Sequence, residues 1–163
     1  MNPQSLFLAL AALTAWSVAA AQAPPVIAVR GATIHTAAGA PIRNGVILVR
    51  DGKIAAVGPN VPIPADAKVY DGAGKEIIPG MMDSHSHIGA LPADLNDSPM
   101  LIGPQHRFLD ALNLEDKDFQ DAVKGGVTTL LLGPGSGENV SGQAIIIKSY
   151  GGKDLARRLL TDR

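Results

Sequence analysis

Ile78-Pro79-Gly80-Met81-Met82-Asp83-Ser84-His85-Ser86-His87 is the stretch on which the reading of this chain turns. Pro79-Gly80 breaks what precedes it, and the residues after it fit a strand running into a loop. On a strand successive side chains alternate faces, so Asp83, His85 and His87 share one side while Ser84 and Ser86 take the other. Same-face Cα atoms lie roughly 6–7 Å apart, close enough for both imidazoles to reach one ion at about 2.0–2.1 Å. A catalytic zinc usually takes three protein ligands and keeps one position for water. Two histidines are therefore part of a cage. Asp83 could ligate, orient an imidazole, or cap the strand end. The plainer alternative is two ordinary polar residues at a strand-to-loop junction.

Upstream, the pattern is that of β-structure. Val26 to Thr36 is rich in β-branched residues. Val46–Arg50 and Lys53–Val57 flank Asp51-Gly52, a strong hairpin signal because a type I′ turn needs positive φ at both central positions. Lys68-Val69-Tyr70 reads as a further short strand, and Asp71-Gly72-Ala73-Gly74 as a turn. Residues 26 to about 75 are thus expected to form a small, mostly antiparallel sheet module of sandwich type.

Downstream, residues 88–114 read as loop, with Pro92, Pro99 and Pro104. Glu115 to Lys124 is expected to be a helix ended by Gly125-Gly126. Val127 to Leu132 is a continuous apolar run of the kind buried in a parallel sheet. A Gly-rich loop follows, then a strand over Ala144–Lys148 and a helical start over Lys153–Leu160. The order strand, helix, strand argues for an α/β region.

The first residues read as an address. No charged side chain precedes Arg30, Leu6 to Ala15 is almost wholly apolar, and Ala19 and Ala21 supply an A-x-A cleavage pattern. Leu6 to Ala21 falls short of the ~20 residues that span a bilayer. The expectation is a signal peptide over 1–21, removed on export to a periplasmic or extracellular space, with no stable membrane insertion afterwards. The rest divides into a sheet module over 22–76 and an α/β region over 77–163.

Composition removes several function classes. The chain has 163 residues, no cysteine, 14 basic against 15 acidic side chains and 4 histidines. Without cysteine there is no disulfide, thiolate nucleophile or iron–sulfur ligation, so any metal must be held by His and carboxylates. The near-zero net charge gives no electrostatic footprint for nucleic acid. The loop Gly133–Gly142 follows a strand, yet Gln143-Ala144 stands where a phosphate loop needs Lys-Ser/Thr. Glu138 stands where the dinucleotide fingerprint needs its third glycine. A rim loop near a substrate is the remaining functional reading. A cupin-type site would want a Glu soon after the second His, and none occurs between His87 and Glu115. Asn139-Val140-Ser141 matches a glycosylation sequon, for which chance is the better explanation. His35 and His106 have no partner at ligand spacing and read as surface or packing residues.

The sheet module, the Asp51-Gly52 hairpin and the string Ile78 to Gly89 together resemble the amidohydrolase superfamily, in particular exported relatives of imidazolonepropionase. Gly126-Val127-Thr128-Thr129 is similar to the start of that family's second barrel strand. The resemblance covers about residues 26–150. It implies an α/β chain in which composite-sandwich strands precede the first two to three βα units of a (β/α)8 TIM barrel. It also implies a metal-dependent hydrolase acting on C–N bonds of a small-molecule amide, cyclic amide or dipeptide-like substrate, by attack of a metal-bound hydroxide. Matched residue by residue, His85 and His87 take two metal-ligand places at the end of the first barrel strand, and Asp83 a supporting place beside them. The ion is divalent, with zinc expected, as one ion or two.

Ile77 to Arg163 is far shorter than the ~250 residues of a typical barrel, with room for under three units of about 30 residues. The family's later ligands and the Asp serving as general base have no counterpart and would lie beyond the C-terminus. The expectation is therefore the N-terminal portion of such an enzyme, inactive by itself. The competing reading is a non-catalytic exported β-module, or a truncated remnant, with an incidental His-x-His.

Overall fold

The computed structural model describes residues 24–97, 99 and 101–161. The signal-peptide reading of residues 1–21 falls outside them. The described chain divides into two compact units, with the division between Ile78 and Pro79.

The first unit is one mixed sheet of β1 (Ile27–Ile34), β2 (Ile42–Arg50), β3 (Lys53–Gly58), β4 (Lys68–Asp71) and β5 (Glu76–Ile77). The strands run in the order β3-β2-β1-β4, with β5 also paired to β1. The expected hairpin is present: β2 and β3 are antiparallel, Arg50 faces Lys53, and Asp51 and Gly52 have φ of 52° and 71°. That turn matches the right-handed twist of its strands. The described residues of this unit form a single sheet. It is mostly antiparallel, as expected, except that β4 and β5 run parallel to β1. The physical reason lies in the connection from β3. Its Pro62 and Pro64 keep residues 59–67 out of a tight hairpin, so the chain crosses to the far edge of β1. Ala28, Ala32, Ile34, Val46 and Leu48 are buried.

The second unit holds β6 (Met81–Ser86), β7 (Val127–Leu132), β8 (Ile145–Lys148) and β9 (Leu159–Thr161) in that order across a sheet. Around it stand a 3-10 turn at Pro92–Asp94 and the short helices α1 (Phe108–Ala111), α2 (Asp118–Lys124) and α3 (Leu155–Arg158). β6 and β7 are parallel, with Met81 beside Val127 and Ser86 beside Leu132. α2 lies in the crossover between them, as a βα unit requires. Helix α2 begins later than the Glu115 start expected from sequence. The side chains of Asn113 and Asp116 accept the backbone N–H groups of Glu115 and Asp118, closing two local turns ahead of it.

β8 breaks the parallel pattern. It pairs antiparallel to β7, and β9 antiparallel to β8, so the region shows one parallel βα step where two to three were expected. The Gly-rich connection after β7 carries no helix to bring the chain back to the start of the sheet, and it returns in the opposite sense. The expected helix over Lys153–Leu160 is one turn, capped by the Asp154 carboxylate on the N–H of Ala156 at 3.0 Å, and then passes into β9.

The core of this unit is Phe108, Phe119, Leu130, Leu132, Ile145 and Ile147. Burying each such side chain stabilises by about 1.5–3 kcal/mol. Arg158 is also buried, 2% exposed. Its guanidinium donates to the carbonyls of Lys148, Leu114, Gly152 and Ser149 and lies 4.0 Å from the Phe119 ring centre. Desolvation holds its pKa below the ordinary arginine value. The core therefore anchors β7 and β8, with Ile88 and Ala90, just after β6, packed against it.

Candidate metal centre

His85 is exposed near the end of β6, and His87 is half-buried just beyond it. Their ring centres are 5.0 Å apart and the planes cross at 89°. The two rings are thus neighbours, although β6 ends at Ser86 and its pairing with β7 is irregular between Asp83 and Ser86. An ion about 2.0–2.1 Å from one nitrogen of each ring, at a tetrahedral angle, sets ring centres roughly 5 Å apart. The pair as it stands meets that spacing.

His87 is oriented by the neighbouring strand's continuation. Its Nδ1 lies 2.8 Å from the carbonyl oxygen of Gly133, the residue after β7. A carbonyl can only accept, so Nδ1 carries the hydrogen and Nε2 keeps its lone pair for a ligand. The N–H of Gly133 in turn donates to the carbonyl of Ser86 at 3.1 Å. The same backbone step thus anchors the strand end and aims the ring. No signal in the sequence marks Gly133 for this role, because a backbone carbonyl has no residue type.

Asp83 is half-buried and its Oδ1 accepts the backbone N–H of His85 at 3.0 Å. It supports the strand end rather than an imidazole N–H. Among the described residues no group of three or more His, Cys, Asp or Glu is gathered to hold a metal. The two remaining histidines stand apart. His35, just past β1, pairs with Glu76 of β5 at 2.5 Å, and His106 Nε2 is 3.9 Å from Asp97 Oδ2. The donor set present is therefore two imidazoles. Their neutral nitrogens suit zinc and other borderline divalent ions.

An open cavity of about 530 Å3 lies beside Pro134, lined in part by Asn96, Asp97, His106, Arg107 and Phe108; neither His85 nor His87 lines it. Its volume is that of a small-molecule site. The Gly-rich loop after β7 also packs on the segment after β6. Gly135 donates to Leu95, Asn139 to Leu101, and Gly103 to Val140. The sequence left a rim position open for this loop and did not identify Asn96 and Asp97 as its contacts.

No protein-family model matches the chain. Among curated proteins it is 36% identical over 123 residues to amidohydrolase tasK of Hapsidospora irregularis, covering 69% of this chain and 12% of that protein. It is 49% identical over 47 residues to imidazolonepropionase of Salinispora arenicola, covering 28% of this chain and 12% of that protein. Among solved structures, an amidohydrolase from Thermotoga maritima superposes with a TM-score of 0.73 at 32% identity, over 83% of this chain and 37% of that one. The chain thus spans well under half the length of each of these relatives. On the 36% identity over 69% of its length and the 0.73 superposition over 83% of it, the chain belongs to the amidohydrolase superfamily.

Proposed function

We propose that the chain carries two ligands, His85 and His87, of a divalent-metal centre in a hydrolase that cleaves C–N bonds in a small amide, cyclic amide or peptide-like substrate. The observation that carries this reading is the imidazole pair with centres 5.0 Å apart, one ring held by the Gly133 carbonyl with its Nε2 left free. In that reading β6 and β7 are the opening strands of a (β/α)8 barrel, whose active sites lie at the C-terminal ends of the strands. Both histidines sit at such an end. Zinc is the expected ion, among the borderline divalent metals that imidazole donors suit; once bound, it would acidify a water and polarise the substrate carbonyl.

The chain's own residues do the positioning. Gly133 fixes the His87 tautomer, and Asp83 holds the strand end at His85 through the backbone N–H of His85. Two imidazoles hold an ion weakly, since a catalytic zinc takes three protein ligands. We infer that the 163-residue chain is inactive alone, and that the remaining donors and the general base come from a longer product. The apolar leader with its Ala19/Ala21 pattern supports export to a periplasmic or extracellular space.

Metal analysis of the full-length product and of its His85→Ala/His87→Ala variant tests this. The variant should lose bound metal and hydrolysis of amide substrates together. Unchanged metal content in the variant would remove the enzyme reading and leave a β-module with an incidental His-x-His.

A further inference from the structure

The geometry points to Glu138 as a positioning residue for the His87 imidazole, acting through the loop that presents the Gly133 carbonyl. The inference rests on the metal-centre reading and deepens it. Glu138 is 7% exposed, although its residue type is almost never buried without a partner. Its Oε1 accepts the backbone N–H of Asp97, and its Oε2 has no partner among the described residues. A carboxylate kept in such a place is unfavourable as packing, because an apolar side chain would fill it at lower cost. What the carboxylate supplies is register.

That register is set on both sides of Glu138. One residue earlier, the N–H of Gly137 donates to Asn96 Oδ1 at 2.8 Å, and the N–H of Gly135 donates to the Leu95 carbonyl at 2.6 Å. A Cβ on Gly135 or Gly137 would collide with the Asn96 side chain, so the two loops meet as closely as backbone allows. Ser141 Oγ donates to the Glu138 carbonyl, closing the far side of the turn. Residues 133–142 are thus held at Leu95, Asn96 and Asp97 by three hydrogen bonds. Gly133, whose carbonyl receives His87 Nδ1–H, lies at the root of that clamp. If the clamp slips, the carbonyl moves off the ring and Nδ1 loses the acceptor that keeps the hydrogen there. The imidazole then samples the tautomer whose Nε2 is protonated and unable to bind an ion.

The test uses the full chain at about pH 8, where an ordinary imidazole is neutral. Zn2+ is titrated into the wild type, Glu138→Ala, Glu138→Gln and His87→Ala. The His87 ring nitrogen shifts are also read by NMR without zinc. Glu138→Ala should weaken zinc binding about tenfold, the lower end for partners that orient a ligand. In the zinc-free protein it should move the His87 ring signals toward a mixture of tautomers. Glu138→Gln keeps an acceptor for Asp97 N–H and should restore both. A Glu138→Ala protein that melts earlier, yet keeps wild-type ring signals and zinc affinity, would overturn the inference and leave Glu138 a loop-packing residue. Should Glu138→Ala not fold, Asn96→Ala removes the Gly137 contact from an exposed position and carries the same two outcomes. If His87→Ala leaves zinc affinity unchanged, the metal reading fails. The clamp is then judged on the zinc-free ring signals alone, where a shift supports it and no shift overturns it.

Discussion

His87 donates its Nδ1–H to the carbonyl of Gly133 across the ends of two parallel strands, at 2.8 Å. The bond joins residues 46 apart in sequence, and it lies where Ser86 pairs with Leu132, just past a register irregularity that follows Asp83. Anything that shifts this register should therefore reach the imidazole pair.

Gly80 offers one such perturbation. A Cβ there would run into the Oγ1, Cγ2 and Cβ atoms of Thr128, so rotation of the threonine cannot clear it. Gly80→Ala should destabilise the second unit by about 1–3 kcal/mol, the usual cost of overpacking. Adding Thr128→Gly should recover part of that loss. Urea unfolding of the single and double variants measures both.

Leu132 is fully buried and ends β7 one residue before Gly133. Leu132→Ala should cost about 2–5 kcal/mol through lost burial and the cavity left behind. Chemical denaturation followed by circular dichroism reads the change as a lower midpoint.

Arg158 satisfies four carbonyls with one planar fork. A lysine at this position presents three donors from a single point and cannot span the same acceptors. Arg158→Lys should lower stability by about 1–3 kcal/mol despite keeping the charge. A thermal melt at neutral pH checks it, and an unchanged midpoint would show that water replaces the lost bonds.

Asp121 sits one turn before Lys124 on α2, with its Oδ1 2.8 Å from Nζ. That hydrogen bond and the lysine charge lower the Asp121 pKa below the ordinary carboxylate value. The folded value lies below the unfolded one, so the contribution is present above about pH 4 and is lost as pH falls through the depressed pKa. Melting temperatures compared at about pH 5 and about pH 2.5 should fall further for the wild type than for Asp121→Asn. Added salt should narrow the gap, since both side chains are exposed.

Local signals were legible in the sequence. Asp51-Gly52 specifies its hairpin because the required φ values belong to those two residues. The one-residue spacing of His85 and His87 made their proximity legible, and their ring centres lie 5.0 Å apart. The direction of β8 was not legible: Ile145–Lys148 reads as a buried strand whether its neighbour runs with it or against it, and only the helix-free connection decides. The parallel pairing of Lys68–Asp71 with β1 was hidden in the same way, being set by a crossover rather than by the strand's own residues. Arg158 reads as a helix residue, while its partners are carbonyls up to 44 positions away. The Glu138 contact spans 41 positions, and nothing in a Gly-rich loop announces which glutamate will be covered.

X-ray absorption at the zinc edge, on the zinc-loaded chain and on its His85→Ala/His87→Ala variant, tests the metal reading most directly. The account predicts two imidazole nitrogens at about 2.0–2.1 Å from zinc in the wild type and their loss in the variant. A shell of water oxygens alone in the wild type, or the same nitrogen shell in both proteins, would contradict it.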